Sequence, residues 1–346
     1  MQKRKKKEVF SRQEQEVLWE FQDRPLFLQR YQALDGEWKR RFLEFCLGKR
    51  TLPLTYDPFF KKIFHPDMHP GRLSRLLSSL LDRKVAVVRI LPTEEMALIQ
   101  DALMVMEILV ELEDGSLANV EVQKVPYLFP AERMSCYSAD LLLRQYSRVK
   151  GERGKKFKYD DVRKVYTIVF YEKSVGTFHR NDGSYIHMGK TTFDTGLELE
   201  LLQEYCLIAL DVFRKIPYTE RNRDERTGWL SLLATESVEE ALRLAEEYPW
   251  LVEVYQEIIE YMKKPEEVLD MFSEALRILD RNTVQYMIEE QEEQLKEQKE
   301  QIERQKKELK ANQRKLKTSQ KELEESRKEA EALREELARL KSSEKK

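Results

Sequence analysis

Cysteine is scarce in this chain. Cys46, Cys136 and Cys206 are far apart and form no Cys-x-x-Cys pair. That excludes a disulfide scaffold or a zinc knuckle and points to reduced thiols in a cytoplasmic protein. No run of 18 apolar residues occurs, so no membrane span is expected. The start, Lys3-Arg4-Lys5-Lys6-Lys7, lacks the apolar stretch of a signal peptide. It reads as a solvated tail, or else as a weak phosphate or targeting contact. A net charge of −2 selects no class of partner. Gly183 and the other scattered glycines form no phosphate-cradling loop. His65 and His69 have an i,i+4 spacing, but Pro66 and Asp67 lie between them and no third ligand follows. No Ser/His/Asp or Cys/His arrangement stands out.

The most informative feature present is a pair of neighbouring strands. Met104, Met106, Ile108, Val110 and Leu112 alternate along the first, and Ala118, Val120 and Val122 along the second. This is the period of two of strands with one buried face. The opposite face carries Glu107, Glu111, Asn119, Glu121 and Gln123, a set suited to a cation site. The turn decides whether these groups meet. With Asp114-Gly115 as a two-residue loop, Glu107 falls opposite Val122. With Glu113-Asp114-Gly115 as a three-residue loop, Gly115 takes the left-handed position and Glu107 lies opposite Glu121. Only the second register puts both apolar sets on one face, because a one-residue slip flips every side chain. The three-residue loop is therefore expected.

Residues 1–51 read as short helices rich in Trp and Phe behind the basic tail, and Asp57-Pro58 as the start of a helix, with Asp57 as its cap. Helix 71–82, strand Val85–Leu91, the two site strands at 103–112 and 117–124, and a helix over 131–150 follow. Val165–Tyr171 is a nearly continuous apolar run, expected as a central strand buried on both faces. Further strands are expected near 185–193 and 204–213. Strands interrupted by helices give an α/β core over 52–217. Residues 218–282 lack strand signals and read as three or four amphipathic helices.

From 283 onward glycine and proline are absent, and Ile288, Leu295, Ile302, Leu309, Leu316, Leu323, Ala330 and Leu337 recur every seven residues. The heptad repeat of 283–346 predicts a long helix that forms a coiled coil, hence a homodimer. Its second core position is mostly Gln, Asn or Ser, improving only at Leu333 and Leu340. A single solvated helix remains the other reading.

Asp57-Pro-Phe-Phe-Lys-Lys-Ile-Phe64, Glu107 with Glu121-Val-Gln123, and Arg133 to Tyr137 followed by Gln145-Tyr146 together resemble the recombination-promoting nuclease and transposase family of the PD-(D/E)XK nuclease superfamily. The similarity runs over about 52–282. It implies a restriction-endonuclease-like α/β core with an α-helical extension, and metal-dependent DNA cleavage linked to recombination or mobile elements. Carried over residue by residue, Glu107 and Glu121 are the implied ligands of Mg²⁺ or Mn²⁺. Gln123 takes the place of the lysine that orients the attacking water, and Asp57 joins the catalytic set or is only a helix cap. The chain departs from the pattern twice, with Glu107 where Asp is usual and Gln123 where Lys is usual. Lys61 and Lys62 are candidates to supply the missing charge, while Lys124 is expected on the opposite face. Lys61, Lys62, Arg133 and Gln145 are candidate DNA contacts. A nuclease fold with a decayed site, kept for DNA binding or for coiled-coil interaction, is the alternative.

Overall fold

The computed structural model describes residues 12–91, 108–124, 131–180, 184–279, 301–306, 309 and 326. The chain divides into two compact units, Met1–Asp280 and Arg281–Lys346. The second unit is helical at its described positions, where Ile302 and Leu309 are exposed. The rest of the heptad repeat lies outside the described residues, so a coiled coil remains an expectation.

The first unit is built on a six-stranded sheet. Its strands are β1 (Val87–Ile90), β2 (Ile108–Leu112), β3 (Leu117–Gln123), β4 (Val165–Tyr171), β5 (Ile186–Lys190) and β6 (Gln203–Ala209), in the order β1-β2-β3-β4-β6-β5. β3, β4 and β6 run parallel, and the outer pairs are antiparallel. The apolar run Val165–Tyr171 is the central strand, and all seven of its residues are buried. That is what a strand flanked by parallel neighbours and covered on both faces requires.

The hairpin register follows the expectation. Ile108 pairs with Val120, Leu109 with Asn119 and Val110 with Ala118. Leu112 accepts from the Gly115 amide and donates to Ser116, closing a three-residue loop with Gly115 at φ +80°. An L side chain rarely adopts that φ, which is why glycine stands there. The Asp114 carboxylate accepts from the Ser116 amide at 2.9 Å and braces the turn.

Helices cover both faces of the sheet. On one side Ile108, Val110, Leu112, Ala118, Val120, Val122, Ile168, Phe170 and Ile208 join a large core. It is completed by α1 (Arg12–Trp19), α2 (Pro25–Ala33), α3 (Gly36–Cys46), α4 (Asp57–Phe64), α5 (Pro70–Leu80), α7 (Leu210–Lys215), α8 (Glu225–Ala234), α9 (Val238–Glu247), α10 (Leu251–Met262) and α11 (265–279). On the other side α6 (Ala131–Arg153), the crossover between β3 and β4, packs Tyr137 and Leu141 onto Leu109, Leu117, Val165, Val169 and Tyr171.

Three expectations change here. The strands were expected to have one buried face. Both are buried, because α6 lies over the Asn119–Glu121 side. The strand expected over 204–213 ends at Ala209, and Leu210–Lys215 is a helix. The run Cys206-Leu-Ile-Ala-Leu-Asp-Val-Phe213 is apolar enough for either state, and periodicity alone does not divide it. Asp57 does not cap α4. Tyr56 takes the N-cap place and Asp57 is the first helical residue, its carboxylate 2.9 Å from the Lys61 ammonium one turn on.

Candidate active site

Three parallel strands leave their carboxyl ends along one edge of the sheet, with Gln123, Tyr171 and Ala209 in register across it. In open α/β sheets ligands gather at that edge. Glu121 sits two residues inside it, only 1% exposed, between fully buried Asn119 and half-buried Gln123. All three point to the α6 side because they alternate with Ala118, Val120 and Val122, which enter the large core. The Asn119 amide donates to Oε1 of Glu121 at 2.9 Å, and the Gln123 amide approaches Oε2 at 3.4 Å. A carboxylate taken out of water is costly unless donors meet it, and the two neighbours on its own strand supply them.

Two oxygens beside this carboxylate are buried with no hydrogen-bond partner, Oδ1 of Asn119 and Oγ1 of Thr167. Asn119 and Thr167 face each other across β3 and β4. These unpaired polar atoms lie within an apolar layer formed by Leu117, Val165 and Val169. On β4, opposite Gln123, burial pushes the Tyr171 hydroxyl up to about 12, so it stays protonated at neutral pH.

Glu107 lies outside the described residues. Lys124 follows Gln123 and turns to the opposite face, as the alternation requires. Its ammonium pairs with Glu172, donates to Oγ1 of Thr55 at 2.6 Å and lies 3.2 Å from the Tyr56 ring centroid. The cations on α4 are also engaged: Lys61 with Asp57, and Lys62 with Glu267 at 2.5 Å. Arg133, on the first turn of α6, is half-buried and donates to the Tyr137 hydroxyl at 3.0 Å. Gln145 sits elsewhere. Fully buried, it donates to the Gly115 carbonyl at 2.8 Å and accepts from the Arg163 amide at 2.6 Å. It pins α6 to the hairpin turn, at the end of β3 away from Glu121.

One group at the carboxyl edge was not read from the sequence. Asp211, just after β6, accepts from the Ser174 amide at 3.0 Å and lies 3.2 Å from Nε2 of His179. Oγ of Ser174 is 3.3 Å from the same nitrogen, while Nδ1 faces the Lys215 ammonium at 3.3 Å. A proton relay needs the serine and the carboxylate on different ring nitrogens. This cluster instead ties the loop after β4 to the start of α7. No sequence spacing announced it, because β4 and β6 are brought together only by sheet pairing.

The chain matches the family model described as PD-(D/E)XK nuclease family transposase over residues 54–286. The chain belongs to that family. No curated protein and no solved structure matches it. The PD-(D/E)XK assignment fits the mixed α/β architecture and the position of Glu121 on the central sheet. No helix among the described residues is long and apolar enough to cross a membrane. PD-(D/E)XK nucleases in general use divalent metals. Among the described residues no three His, Cys, Asp or Glu side chains come together as an ion cage. The atoms that meet Glu121 are amide nitrogens, and the oxygens without a partner on the same face are Oδ1 of Asn119 and Oγ1 of Thr167. Together with the Glu121 carboxylate, these oxygens are of the kind a hard divalent cation takes.

Proposed function

We propose that the chain is a divalent-metal-dependent endodeoxyribonuclease acting in recombination or on mobile elements. The observation that carries the reading is the buried carboxylate of Glu121, held by Asn119 at the carboxyl edge of a PD-(D/E)XK sheet. Continuing the hairpin register by one pair supports Glu107 as its partner across β2 and β3. In this reading Glu107 and Glu121 hold Mg²⁺ or Mn²⁺, and the oxygens of Asn119 and Thr167 complete a polar lining. Bound there, the ion lowers the pKa of a water and offsets charge on the scissile phosphate. Gln123 orients that water through its amide, without supplying charge. Asn119 fixes the Glu121 rotamer. Arg133 lies at the start of α6 as a phosphate contact, and Asp57 supports the edge through Lys61. The heptad tail joins two copies as a homodimer.

A second reading has its own support. Lys124, Lys61 and Lys62 are each engaged in an ion pair, and Gln123 has no charge. A site whose described lysines are all ion-paired is what a decayed nuclease, retained for DNA binding, would have. Supercoiled-plasmid cleavage in Mg²⁺ and in Mn²⁺ separates the two. The nuclease reading expects metal-dependent nicking or linearisation by the wild type and none by Glu121→Ala. Equal cleavage by both proteins removes Glu121 from the site. Binding in EDTA with no cleavage in either metal favours the decayed site.

A further inference from the structure

At the far end of α6 the sequence Lys150-Gly-Glu-Arg-Gly-Lys-Lys-Phe-Lys158 carries five cations and one acid. α6 ends at Arg153, and Gly154, at φ +51°, turns the chain so that Lys155, Lys156 and Lys158 follow on a tight loop. All three lysines are exposed. Two of the three acids nearby are already committed, and the third, Asp160, is exposed beside Tyr159. Glu152 lies 3.6 Å from Arg148, and Asp161 pairs with Arg153 at 3.6 Å and accepts from the Lys158 amide at 2.9 Å. Lys155, Lys156 and Lys158 outnumber the one carboxylate left without an ion pair, Asp160, so net positive charge remains for an outside partner.

The same loop carries aromatic rings. Tyr159 stacks on Tyr146 with centroids 6.1 Å apart and planes 16° from parallel, and Phe157 meets both edge-on. Lys150 donates to the Tyr146 hydroxyl at 2.7 Å and crowns the group. Tyr159 is 76% exposed, although a tyrosine held only for packing would be covered. An aromatic ring left in water beside three exposed lysines and the Lys150 ammonium has the composition of a base-stacking surface with an electrostatic fringe.

We propose that this platform, Tyr159 on Tyr146 ringed by Lys150, Lys155, Lys156 and Lys158, binds an unpaired nucleic-acid strand. The lysines meet phosphates, and the open face of Tyr159 takes a base. Gln145 anchors this part of α6 to the amino end of β3, so the platform and Glu121 stand at opposite ends of the sheet. It is a second contact, separate from the cleavage centre, and it does not require that Glu121 catalyse. A duplex buries its base faces and would engage the lysines alone, which is why an unpaired strand is the favoured ligand.

The test is fluorescence anisotropy of the full-length protein with labelled dT20 and with a 20-bp duplex, in EDTA across a salt series. Replacing Lys155, Lys156 and Lys158 together by Glu is expected to weaken dT20 binding about tenfold or more and to flatten its salt slope by roughly 2. Tyr159→Ala is expected to weaken dT20 binding about fivefold while leaving the duplex unchanged. Circular dichroism checks that each variant is folded. Wild-type dT20 affinity in both variants overturns the proposal, as does a Tyr159→Ala loss equal for strand and duplex. Phosphatidylserine vesicles are run in parallel. If the lysine variant loses vesicle binding while dT20 binding stays at the wild-type level, the surface belongs to anionic membranes and the proposal falls. Because no metal is present, a wild type that never cuts leaves the proposal standing. A wild type that cuts, with variants that bind as tightly as it does, overturns only this one.

Discussion

Asn119 shows how much a single amide does at this site. Its amide nitrogen satisfies Glu121 at 2.9 Å while its own Oδ1 stays unpaired and buried. Asn119→Ala removes the donor, leaves the carboxylate to drift, and is expected to raise the metal concentration needed for half-maximal cleavage about 10- to 100-fold. A purely structural role would lower the melting temperature and leave the metal titration of the folded fraction unchanged. The thiols give a second residue-scale prediction. Burial pushes Cys46 and Cys206 up to about 12, whereas Cys136 is exposed. The neutral thiol is the form the fold keeps. The unfolded chain loses these protons first, so the stability they carry is full below about 9 and is lost as pH rises towards 12. At pH 8 a disulfide reagent is expected to modify one thiol of the native protein quickly and all three in guanidinium. Two fast thiols in the native state would contradict the packing of Cys46 or Cys206.

At the scale of elements, the α6–hairpin joint is where a functional reading and a structural one divide. Gln145→Ala strips partners from the Gly115 carbonyl and the Arg163 amide. It is expected to cost about 1–3 kcal/mol of stability, read as a lower urea midpoint at unchanged slope. Cleavage per folded molecule should not change, because Glu121 lies about 13 Å along β3 from Leu117 at the turn end. A selective loss of DNA affinity at wild-type stability would instead return Gln145 to the nucleic-acid interface. Much of this element order was legible in the sequence. The run Val165–Tyr171 had to be central because it offers no polar face, and the Glu113-Asp114-Gly115 loop was the one turn that kept both apolar sets together. What was not legible depended on partners distant in sequence. Nothing local says that α6 roofs Glu121, that Leu210 begins a helix, or that Lys62 is drawn to Glu267. The same holds for Lys61 and Asp57. Their i,i+4 pairing is a local rule, but its consequence for Asp57 as a cap emerged only with the backbone at Tyr56.

Across the whole molecule one core crosses the boundaries that composition suggests. Phe272 on α11 meets Trp38 and Phe42 of α3 at 5.6 and 5.9 Å and Phe59 of α4 at 5.0 Å, all edge-on. The amino-terminal helices and those beyond Pro217 thus close over the same face of the sheet. Each buried ring contributes roughly 1.5–3 kcal/mol of transfer free energy, so neither set of helices can be removed without uncovering the other. The heptad tail is a separate matter, since Arg281–Lys346 forms its own unit. Ile302 and Leu309, one heptad apart, are 49% and 60% exposed in the single chain. A lone solvated helix and a helix that pairs with a second copy both leave these residues exposed in a single chain. A second seam of mostly Gln, Asn and Ser predicts only modest affinity for any pairing of two copies. A chain ending at Asp280 is therefore expected to melt at nearly the temperature of the full chain when both are dilute. In sedimentation from about 1 to 50 μM the full chain should shift from monomer to dimer with concentration while the shortened chain stays monomeric. A full chain that remains monomeric at the top of that range leaves the tail a lone charged helix. A shortened chain that fails to melt cooperatively means that the first unit needs residues beyond its own core.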